Sequence, residues 1–239
     1  MSNLYIGTSG FEYNWNNFYK TINNKKERLK YYSQIFNTVE INYSFYKLPS
    51  IKTYKKWINE TPFNFCFALK LSRYITHVKR LRDANNAFDD FLKRAKVLEH
   101  KLGPILIQLP SNFKLDFKVM KDFLIHIKNS KKRFAFEFRN NIFDSKDLIN
   151  LFKKHNIAIV FSHASTFPYF KKEEVTSDFV YLRLHGPSKL YASNYSDDEL
   201  NVWANKIKKW KRNKDVYVYF NNDANEYALH NAKKLLSLI

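Results

Sequence analysis

Charged and polar side chains stand at the carboxyl ends of several predicted strands, where they could do chemistry together. Side chains alternate along a strand, so Glu137 and Arg139 share one face. Arg183 and His185 share a face in the same way. A carboxylate and an imidazole can take up and return protons, so Glu137 is the first candidate for proton transfer and His185 the second. Glu40, at the end of another predicted strand, is the third catalytic candidate.

Basic side chains are predicted to reach the same place and favour an anionic ligand. An arginine suits this role because its planar guanidinium donates two hydrogen bonds to one phosphate. Gly186 and the segment 221–223 follow the two strands whose loops often bind phosphate in (β/α)8 barrels. The candidate substrate-binding or anion-binding residues are Lys70, Arg139, Arg183, Asn42, Gln108, His77, Asn221, Tyr13 and Trp15.

The same residues allow other interpretations. One is a closed ion-pair network that only holds the structure together, formed by Glu40 and Glu137 with Lys70, Arg139 and Arg183. Another is a divalent metal ion held by Glu40, Glu137, His185 and Asp223. The aromatic residues of the first loop, including Tyr13 and Trp15, fit either stacking on a nucleic acid base or ordinary lid packing.

Short apolar runs of strand length alternate along the chain with amphipathic stretches of helix length. Eight strands are predicted, at Leu4–Thr8, Thr38–Asn42, Phe65–Lys70, Ile105–Leu109, Arg133–Phe138, Ile157–Phe161, Phe179–His185 and Val216–Asn221. Helices are predicted near 25–36, 51–60, 84–101, 116–129, 144–155, 197–213 and 224–238, whereas 163–176 has no clear helical pattern. This alternation indicates an α/β fold, best fitted by a (β/α)8 TIM-like barrel, with an open doubly wound sheet as the alternative.

Composition limits the class of protein. The 239 residues suit a single domain over 1–239. The 45% hydrophobic and 18% aromatic content excludes intrinsic disorder. With 41 Lys+Arg and 22 Asp+Glu, the net charge of +19 would attract anionic small molecules or nucleic acid, although lysine pairs spread along the chain are also typical of solvated helix faces.

Cysteine usage and hydropathy indicate the compartment. The single Cys66 cannot form an intrachain disulfide, which fits a reducing compartment. No apolar run approaches the length of a membrane span. We therefore expect a cytoplasmic protein without a membrane partner, and the oligomeric state is left open.

Seven stretches carry a resemblance to a known family. They are IGTSGFEYNW (6–15), VEINYSFYKLP (39–49), ITHVKRL (75–81), LGPILIQLP (102–110), FEFRN (136–140), YLRLHG (181–186) and YFNND (219–223). In this order they resemble the uncharacterised YecE-like family, domain of unknown function 72. The resemblance implies a TIM-like barrel with motif positions at Glu40, Asn42, Lys70, His77, Gln108, Glu137, Arg139, Arg183, His185 and Asn221. It supplies no reaction, and it suggests a likeness to endonuclease IV-type barrels only at the level of fold.

The chain departs from the family pattern at two places. Family members usually continue the fifth-strand motif as Arg-His-x-Ser-Trp, where this chain reads RNNIF at 139–143. They commonly carry an Asp after the sixth strand, where this chain has Ser162 and His163. A mechanism that depends on that Trp or that Asp is therefore in doubt here.

Three functions follow as hypotheses. The preferred one is an enzyme that acts on a phosphorylated or nucleic-acid substrate at the carboxyl-terminal mouth of the barrel, by hydrolysis or proton transfer. The alternative is a non-catalytic nucleic-acid-binding or scaffold protein that uses the net charge. The third is a sugar-phosphate isomerase or aldolase-like enzyme, in which Lys70 would form a Schiff base.

Overall fold

The strands of the protein form two parallel sheets in a computed structural model that describes residues 2–239. The strands are β1 Leu4–Thr8, β2 Thr38–Ile41, β3 Cys66–Lys70, β4 Leu102–Gln108, β5 Phe134–Glu137, β6 Ala158–Ile159, β7 Phe161–His163, β8 Phe179–Leu184 and β9 Asp215–Phe220. One sheet has the order β1-β9-β8-β7 and the other the order β2-β3-β4-β5-β6. All their ladders are parallel, so the carboxyl ends within each sheet lie at one edge.

Helices connect the strands. The α-helices are α1 Arg28–Tyr32, α2 Tyr43–Tyr46, α3 Ile51–Glu60, α4 Asn85–Ala95, α5 Phe117–Lys128, α6 Lys146–His155, α7 Asp197–Trp210 and α8 Tyr227–Ser237. Short 3-10 turns lie at Lys25–Glu27, Lys96–Lys101, Asn141–Asp144 and Ala224–Glu226, and a π-helix at Tyr74–Val78. Ser196 and Glu199 form a capping box at the start of α7, which satisfies free backbone N–H groups there. No helix within residues 2–239 is both long enough and apolar enough to span a bilayer.

The two sheets share one inner cluster of buried side chains. Ala68 and Ala135 reach it from one sheet, and Tyr181 and Tyr219 reach it from the other. Bulkier residues such as Phe136 lie on the outer face, in the large core between strands and helices. Small side chains therefore line part of the interior, which leaves room for the tyrosine rings and for the polar groups above them.

Side chains join β1 to β2, which belong to different sheets. The amide of Asn37 donates to the carbonyl oxygen of Leu4 at 2.7 Å. The hydroxyl of Tyr32 accepts from the N–H of Thr8 at 2.9 Å and lies 3.1 Å from the carbonyl oxygen of Thr38, to which it donates. These contacts replace a backbone ladder at this junction.

Gly7 lies at the junction of β1 and β2, where a side chain has no room. A Cβ at this position would lie 2.1 Å from the carbonyl oxygen of Thr38. We expect Gly7→Ala to lower the free energy of unfolding by about 1–3 kcal/mol, because the strands must separate to admit the methyl group. Urea unfolding measures this, with the exposed Asn16→Ala as the control. A Gly7→Ala protein as stable as its parent would contradict the close approach.

The sixth predicted strand differs from the observed structure. Instead of one strand at Ile157–Phe161, the chain forms β6 and β7, which belong to different sheets. The N–H of Ile159 bonds to the hydroxyl of Thr176 at 3.0 Å, whereas that of Val160 bonds to the carbonyl of Phe136 at 2.9 Å. The backbone therefore leaves one sheet and enters the other within a few residues. No helix follows β7 in the described stretch 164–176.

Other element boundaries also differ from the prediction. The helix predicted at 25–36 is reduced to the turn at Lys25–Glu27 and α1, and the one predicted at 84–101 ends as an α-helix at Ala95. In the 3-10 turn at Lys96–Lys101 that follows, Glu99 has a φ of 53°, which interrupts the helical backbone. β4 begins at Leu102 rather than Ile105, so Pro104 lies inside the strand. The register with β3 is irregular in this part of the ladder, and a proline is tolerated at such an irregularity. The sequence did not predict α2 or the π-helix.

Candidate functional site

Three charged side chains from distant strands meet at the carboxyl ends of the two sheets. Arg183 Nη2 donates to Glu40 Oε1 at 2.7 Å, and Arg183 Nε donates to Glu40 Oε2 at 3.0 Å. Arg183 Nη1 also donates to Glu137 Oε2. Both carboxylates are fully buried and Arg183 is 1% exposed. One guanidinium thus bridges two buried carboxylates across the space between the sheets.

Further donors complete the coordination of the two carboxylates. Ser9 Oγ donates to Glu40 Oε1 at 2.8 Å, and Tyr181 OH donates to Glu40 Oε2 at 2.7 Å. Arg139 Nε donates to Glu137 Oε1 at 2.7 Å. Burial by itself raises the pKa of Glu137, but the guanidinium charges outweigh it and hold that pKa well below its ordinary value. Glu137 is therefore a persistent anion and a weak proton acceptor.

The surroundings of Glu137 and Glu40 bear on the prediction that these residues act directly on a substrate, which stays a prediction. Both are fully buried and their oxygens already accept hydrogen bonds from the protein, so neither presents a free oxygen. Their geometry fits the positioning of Arg183 and Arg139 instead. The ion-pair network that the sequence allowed is present, except that Lys70 bonds to an amide oxygen rather than to a carboxylate.

His185, immediately after β8, is also fully buried. Its Nδ1 lies 3.0 Å from the amide nitrogen of Asn221 and its Nε2 lies 3.8 Å from Glu137 Oε1. Burial lowers the pKa of His185 well below its ordinary value, so the ring is neutral. The rings of Tyr191 and Phe167 cover it, with centroids at 5.5 and 5.3 Å. The predicted exchange of a proton with substrate is therefore blocked while these rings stay in place. We call Glu40, Glu137, Arg183 and His185 the floor.

Above the floor lies a partly exposed set of side chains that we call the rim, consisting of Lys70, His77, Gln108 and Arg139. Lys70 Nζ donates to Gln108 Oε1 at 2.8 Å, and Arg139 Nη2 approaches the same oxygen at 3.4 Å. Arg139 Nη1 donates to Tyr191 OH at 3.2 Å. Two cations therefore share one neutral acceptor at the mouth.

Charge is not balanced between floor and rim. Within the hydrogen-bonded network, Glu40 and Glu137 supply two negative charges, whereas Arg183, Arg139 and Lys70 supply three positive ones. Asp223 lies outside this network, and its pKa of about 7 leaves it only partly ionised near neutral pH. Among residues 2–239, no carboxylate oxygen lies within ion-pair distance of Lys70 Nζ. Burial, followed by repulsion from Arg183, lowers the pKa of Lys70 to about 8. A ligand with negative charge would supply the missing partner.

His77 reaches the rim from the π-helix at Tyr74–Val78. Its ring packs against Phe45, with centroids 5.1 Å apart, and its Nδ1 lies 2.9 Å from the hydroxyl of Thr76. Burial, followed by the charge of Lys70, lowers the pKa of His77 to about 4. It is therefore neutral near pH 7 and can offer a hydrogen bond but no charge.

The remaining predicted residues lie at the β1 and β2 side of the mouth or in the core. Asn42 Nδ2 and Tyr13 OH both donate to the carbonyl oxygen of Ser9, at 3.2 and 2.8 Å. Trp15 is 1% exposed and packs on Tyr19, with ring centroids at 6.2 Å. No face of the indole is free for a ligand, so the expectation that Trp15 contacts substrate is corrected.

Several residues of the site were not among the predicted site residues. Ser9 directly follows β1, the same strand-end position that identified the others, so the signal for it was present. Tyr191 and Phe167 come from long loops, where no periodicity marks them.

Asp223, which lies within reach of the Tyr13 hydroxyl, has a buried Oδ1 without a hydrogen-bond partner. Burial raises the pKa of Asp223 to about 7.

The residues considered for a divalent ion do not form a ligand set. Within the described part of the chain, no three His, Cys, Asp or Glu side chains are grouped closely enough to hold a metal. Arg183 lies between the carboxylates of Glu40 and Glu137, where a cation would have to bind.

The two departures from the family pattern have structural roles here. Asn140 caps the turn at Asn141–Asp144 and donates to two carbonyl oxygens of the loop after β4, at 2.9 and 3.0 Å. Ser162 Oγ lies 3.5 Å from Glu137 Oε1, where it reaches the floor. His163 pairs with the hydroxyl of Tyr195 at 2.9 Å. Of these substitutions, Ser162 is therefore the one that contacts the charged network.

The parallel sheets with helical connections and charged strand ends define this protein as one of the α/β class. The profile described as "Protein of unknown function DUF72" matches residues 5–239, and the chain belongs to this family. The UPF0759 protein YunF of Bacillus subtilis is 24% identical, over 99% of this chain and 94% of YunF. YecE of Escherichia coli is 33% identical over 36% of this chain and 31% of its own length.

Solved structures agree with this assignment. The DUF72 protein TM1631 of Thermotoga maritima has a TM-score of 0.87 and 28% identity, covering 99% of this chain and 98% of that one. A DUF72 protein of Enterococcus faecalis has a TM-score of 0.83 at 19% identity, covering 98% and 94%. A fusion protein with a xylose isomerase-like TIM barrel has a TM-score of 0.55 at 11% identity, and the match covers 99% of this chain and 42% of the fusion protein. This likeness concerns the fold only.

Proposed function

We propose that the two sheets close into a (β/α)8 barrel whose mouth is the active site of an enzyme for a phosphorylated, anionic substrate. The inner cluster shared by both sheets and the side chains that join β1 to β2 support closure. The fold of the xylose isomerase-like barrel supports it as well. In barrels of this kind the substrate binds at the carboxyl ends of the strands, where floor and rim lie.

The observation that carries this proposal is the unbalanced charge of the rim. Lys70 and Arg139 lie beside each other and share the amide oxygen of Gln108, although that oxygen carries no full charge. A phosphate oxygen would accept from both cations through charge-assisted hydrogen bonds, which are roughly twice as strong as neutral ones. Glu137 holds Arg139 in place for this contact through its 2.7 Å hydrogen bond.

The rim also offers a group that can transfer a proton. The amine of Lys70, with its pKa of about 8, exists in both protonation states near neutral pH. It lies beside the bound anion in this proposal, whose charge favours the ammonium form, so that Lys70 can protonate a leaving oxygen. Hydrolysis and proton transfer are both compatible with this position.

Lys70→Met is expected to weaken binding of inorganic phosphate and of sugar phosphates by at least about tenfold, because a hydrogen bond to a charged group contributes roughly 1.5–3 kcal/mol. Isothermal titration calorimetry measures this. The control is Lys118→Met on the outer helix α5, whose lysine is 87% exposed in its side chain. Equal phosphate affinity of the Lys70→Met and parent proteins, or no phosphate binding by either, would contradict the proposal.

A second candidate function, an aldolase-like enzyme, is favoured by the surroundings of Lys70. Its Nζ lies 4.3 Å from the centre of the Phe45 ring and close to other cations, conditions that lower the pKa of Schiff-base lysines. The free amine would attack a substrate carbonyl and expel water. Borohydride reduction with a panel of keto and aldehyde sugar phosphates is then expected to add at Lys70 the mass of the substrate less one oxygen atom, because water leaves as the imine forms and reduction adds two hydrogens. Absence of any adduct, or an adduct that persists in Lys70→Met, would exclude this function.

A further inference from the structure

A groove of about 790 Å³ opens beside the mouth at the ends of β1 and β2. Its volume falls in the range typical of small-molecule sites. Tyr13 and Asn42 line it, and both also contact the Ser9 carbonyl oxygen next to the floor. The groove therefore adjoins the site described above, although no floor or rim residue lines it.

Aromatic rings form much of the groove. Phe11 and Trp57 are buried in its walls, whereas Tyr13 is half-buried and Tyr43 is 50% exposed. Tyr13 is backed by Trp15, with ring centroids 5.1 Å apart, which fixes its position. Rings held in this way favour a flat ligand, because stacking on them requires no reordering of the protein.

The remaining lining residues add charge of both signs, from two lysines and from Glu12, together with polar groups. Lys52 and Lys56 line one side of the groove, and Lys56 lies 3.6 Å from Glu60 in a solvent-exposed pair. Asn42 must direct Nδ2 at the Ser9 carbonyl, since that oxygen can only accept, and this leaves Asn42 Oδ1 as an acceptor. Asn42 Oδ1 is buried without a hydrogen-bond partner. A hydrogen-bond donor on a ligand would satisfy this oxygen after a local shift of the side chain that opens it to the groove.

The groove and the rim are adjacent because of strand register. Ile41 of β2 pairs with Leu69 at the penultimate position of β3, so Asn42, which directly follows β2, lies near Lys70 at the end of β3. The hydroxyl of Ser44 also donates to the Lys70 carbonyl oxygen at 2.7 Å, which fixes the start of α2 against the end of β3. Asn42 is thus the lining residue that a ligand extending from the groove to the rim would pass.

We propose that this groove binds the nucleobase of a nucleotide whose phosphate rests on Lys70 and Arg139. The ring stacks against Tyr13 and Tyr43, and a ring N–H or amino group donates to Asn42 Oδ1. The lysines of the groove add to the attraction for a negatively charged ligand. This inference rests on the proposed function for the phosphate and extends it to the substrate class.

Competition between defined probes tests the inference. Calorimetric titrations compare the four ribonucleoside 5′-monophosphates with ribose 5-phosphate, inorganic phosphate and a free nucleoside. We expect at least one nucleotide to bind at least fivefold more tightly than ribose 5-phosphate, because base stacking adds to the phosphate contact. Tyr43→Ser is expected to remove that preference while leaving the affinity for inorganic phosphate unchanged, and Asn42→Leu is expected to remove the preference as well.

Tyr74→Ser is the matched control, since Tyr74 is also 50% exposed but does not line the groove. If nucleotides and ribose 5-phosphate bind with equal affinity, and Lys70→Met binds neither, the nucleobase site is overturned and the proposed phosphate site is supported. A preference for nucleotides that survives both groove variants would also overturn it, as would ribose 5-phosphate binding that weakens in Tyr43→Ser. Nucleoside binding that depends on the groove, without any phosphate binding, would support the groove and refute the phosphate site.

Discussion

Arg183→Met is expected to lower the free energy of unfolding by at least about 3–5 kcal/mol, the cost of leaving buried charge without its partner. In the parent protein one guanidinium donates to both Glu40 and Glu137, and all three groups are buried. Methionine fills a similar volume but leaves the two carboxylates facing each other. Urea unfolding followed by circular dichroism measures the loss.

Two further variants separate charge from packing. Arg183→Lys keeps the charge but cannot form the two-pronged contact with Glu40, so we expect an intermediate stability. Adding Glu40→Gln to Arg183→Met removes one unpaired charge, and the double variant is expected to recover part of the loss. Arg212→Met at an exposed position is the control and should lie within about 0.5 kcal/mol of the parent. A single Arg183→Met protein as stable as that control would contradict the buried network.

Acid is expected to destabilise the protein through Glu137. The pKa of this carboxyl is lower in the folded protein than its ordinary value of 4.5, so the unfolded chain takes up the proton first as pH falls. The stabilisation is complete above about pH 5 and is lost progressively below pH 4.5. A buried carboxylate held in this way contributes on the order of 2–3 kcal/mol.

Urea unfolding at a series of pH values between 7 and 3 measures this effect. Glu137→Gln removes the titrating group, so the free energy of unfolding of this variant should be lower than that of the parent at pH 7. As pH falls, the free energy of unfolding of the variant should decrease less steeply than that of the parent, with a difference in slope of up to about 1.4 kcal/mol per pH unit. Asp122→Asn on α5, whose carboxylate is 60% exposed, is the control and should follow the parent curve. Parallel curves for Glu137→Gln and the parent would contradict the assignment.

The sequence predicted the strands well because buried parallel strands are short apolar runs. Val39, Phe136 and Leu182 all lie on outer faces, and the polar residues between them point inward near the strand ends. Alternation could therefore place Glu40, Glu137 and Arg183 on inner faces, although it could not tell that one guanidinium would bridge both carboxylates. That contact depends on the distance across the two sheets.

Other features depended on tertiary contacts that have no local signal. Aromatic residues in a loop have the same pattern whether they face solvent or the core, so Trp15 was wrongly expected at the mouth. The split of the sixth strand follows from the hydroxyl of Thr176, 17 residues away from Ile159. The groove combines residues from β2, α3 and the first loop, so no single motif could predict it. The cytoplasmic location and the single domain over 1–239 stay predictions.

The pairing of β1 with β9 has a consequence for synthesis on the ribosome. β1 takes its ladder partner from residues 215–220, close to the end of the chain, and Asn3 N–H bonds to Asp215 at 2.6 Å. β1 must therefore wait until more than 200 further residues have been translated before its backbone ladder with β9 forms. Contacts so distant in sequence slow folding and leave an apolar edge exposed meanwhile. Nascent chains of this protein should consequently depend on chaperones until β9 has been translated.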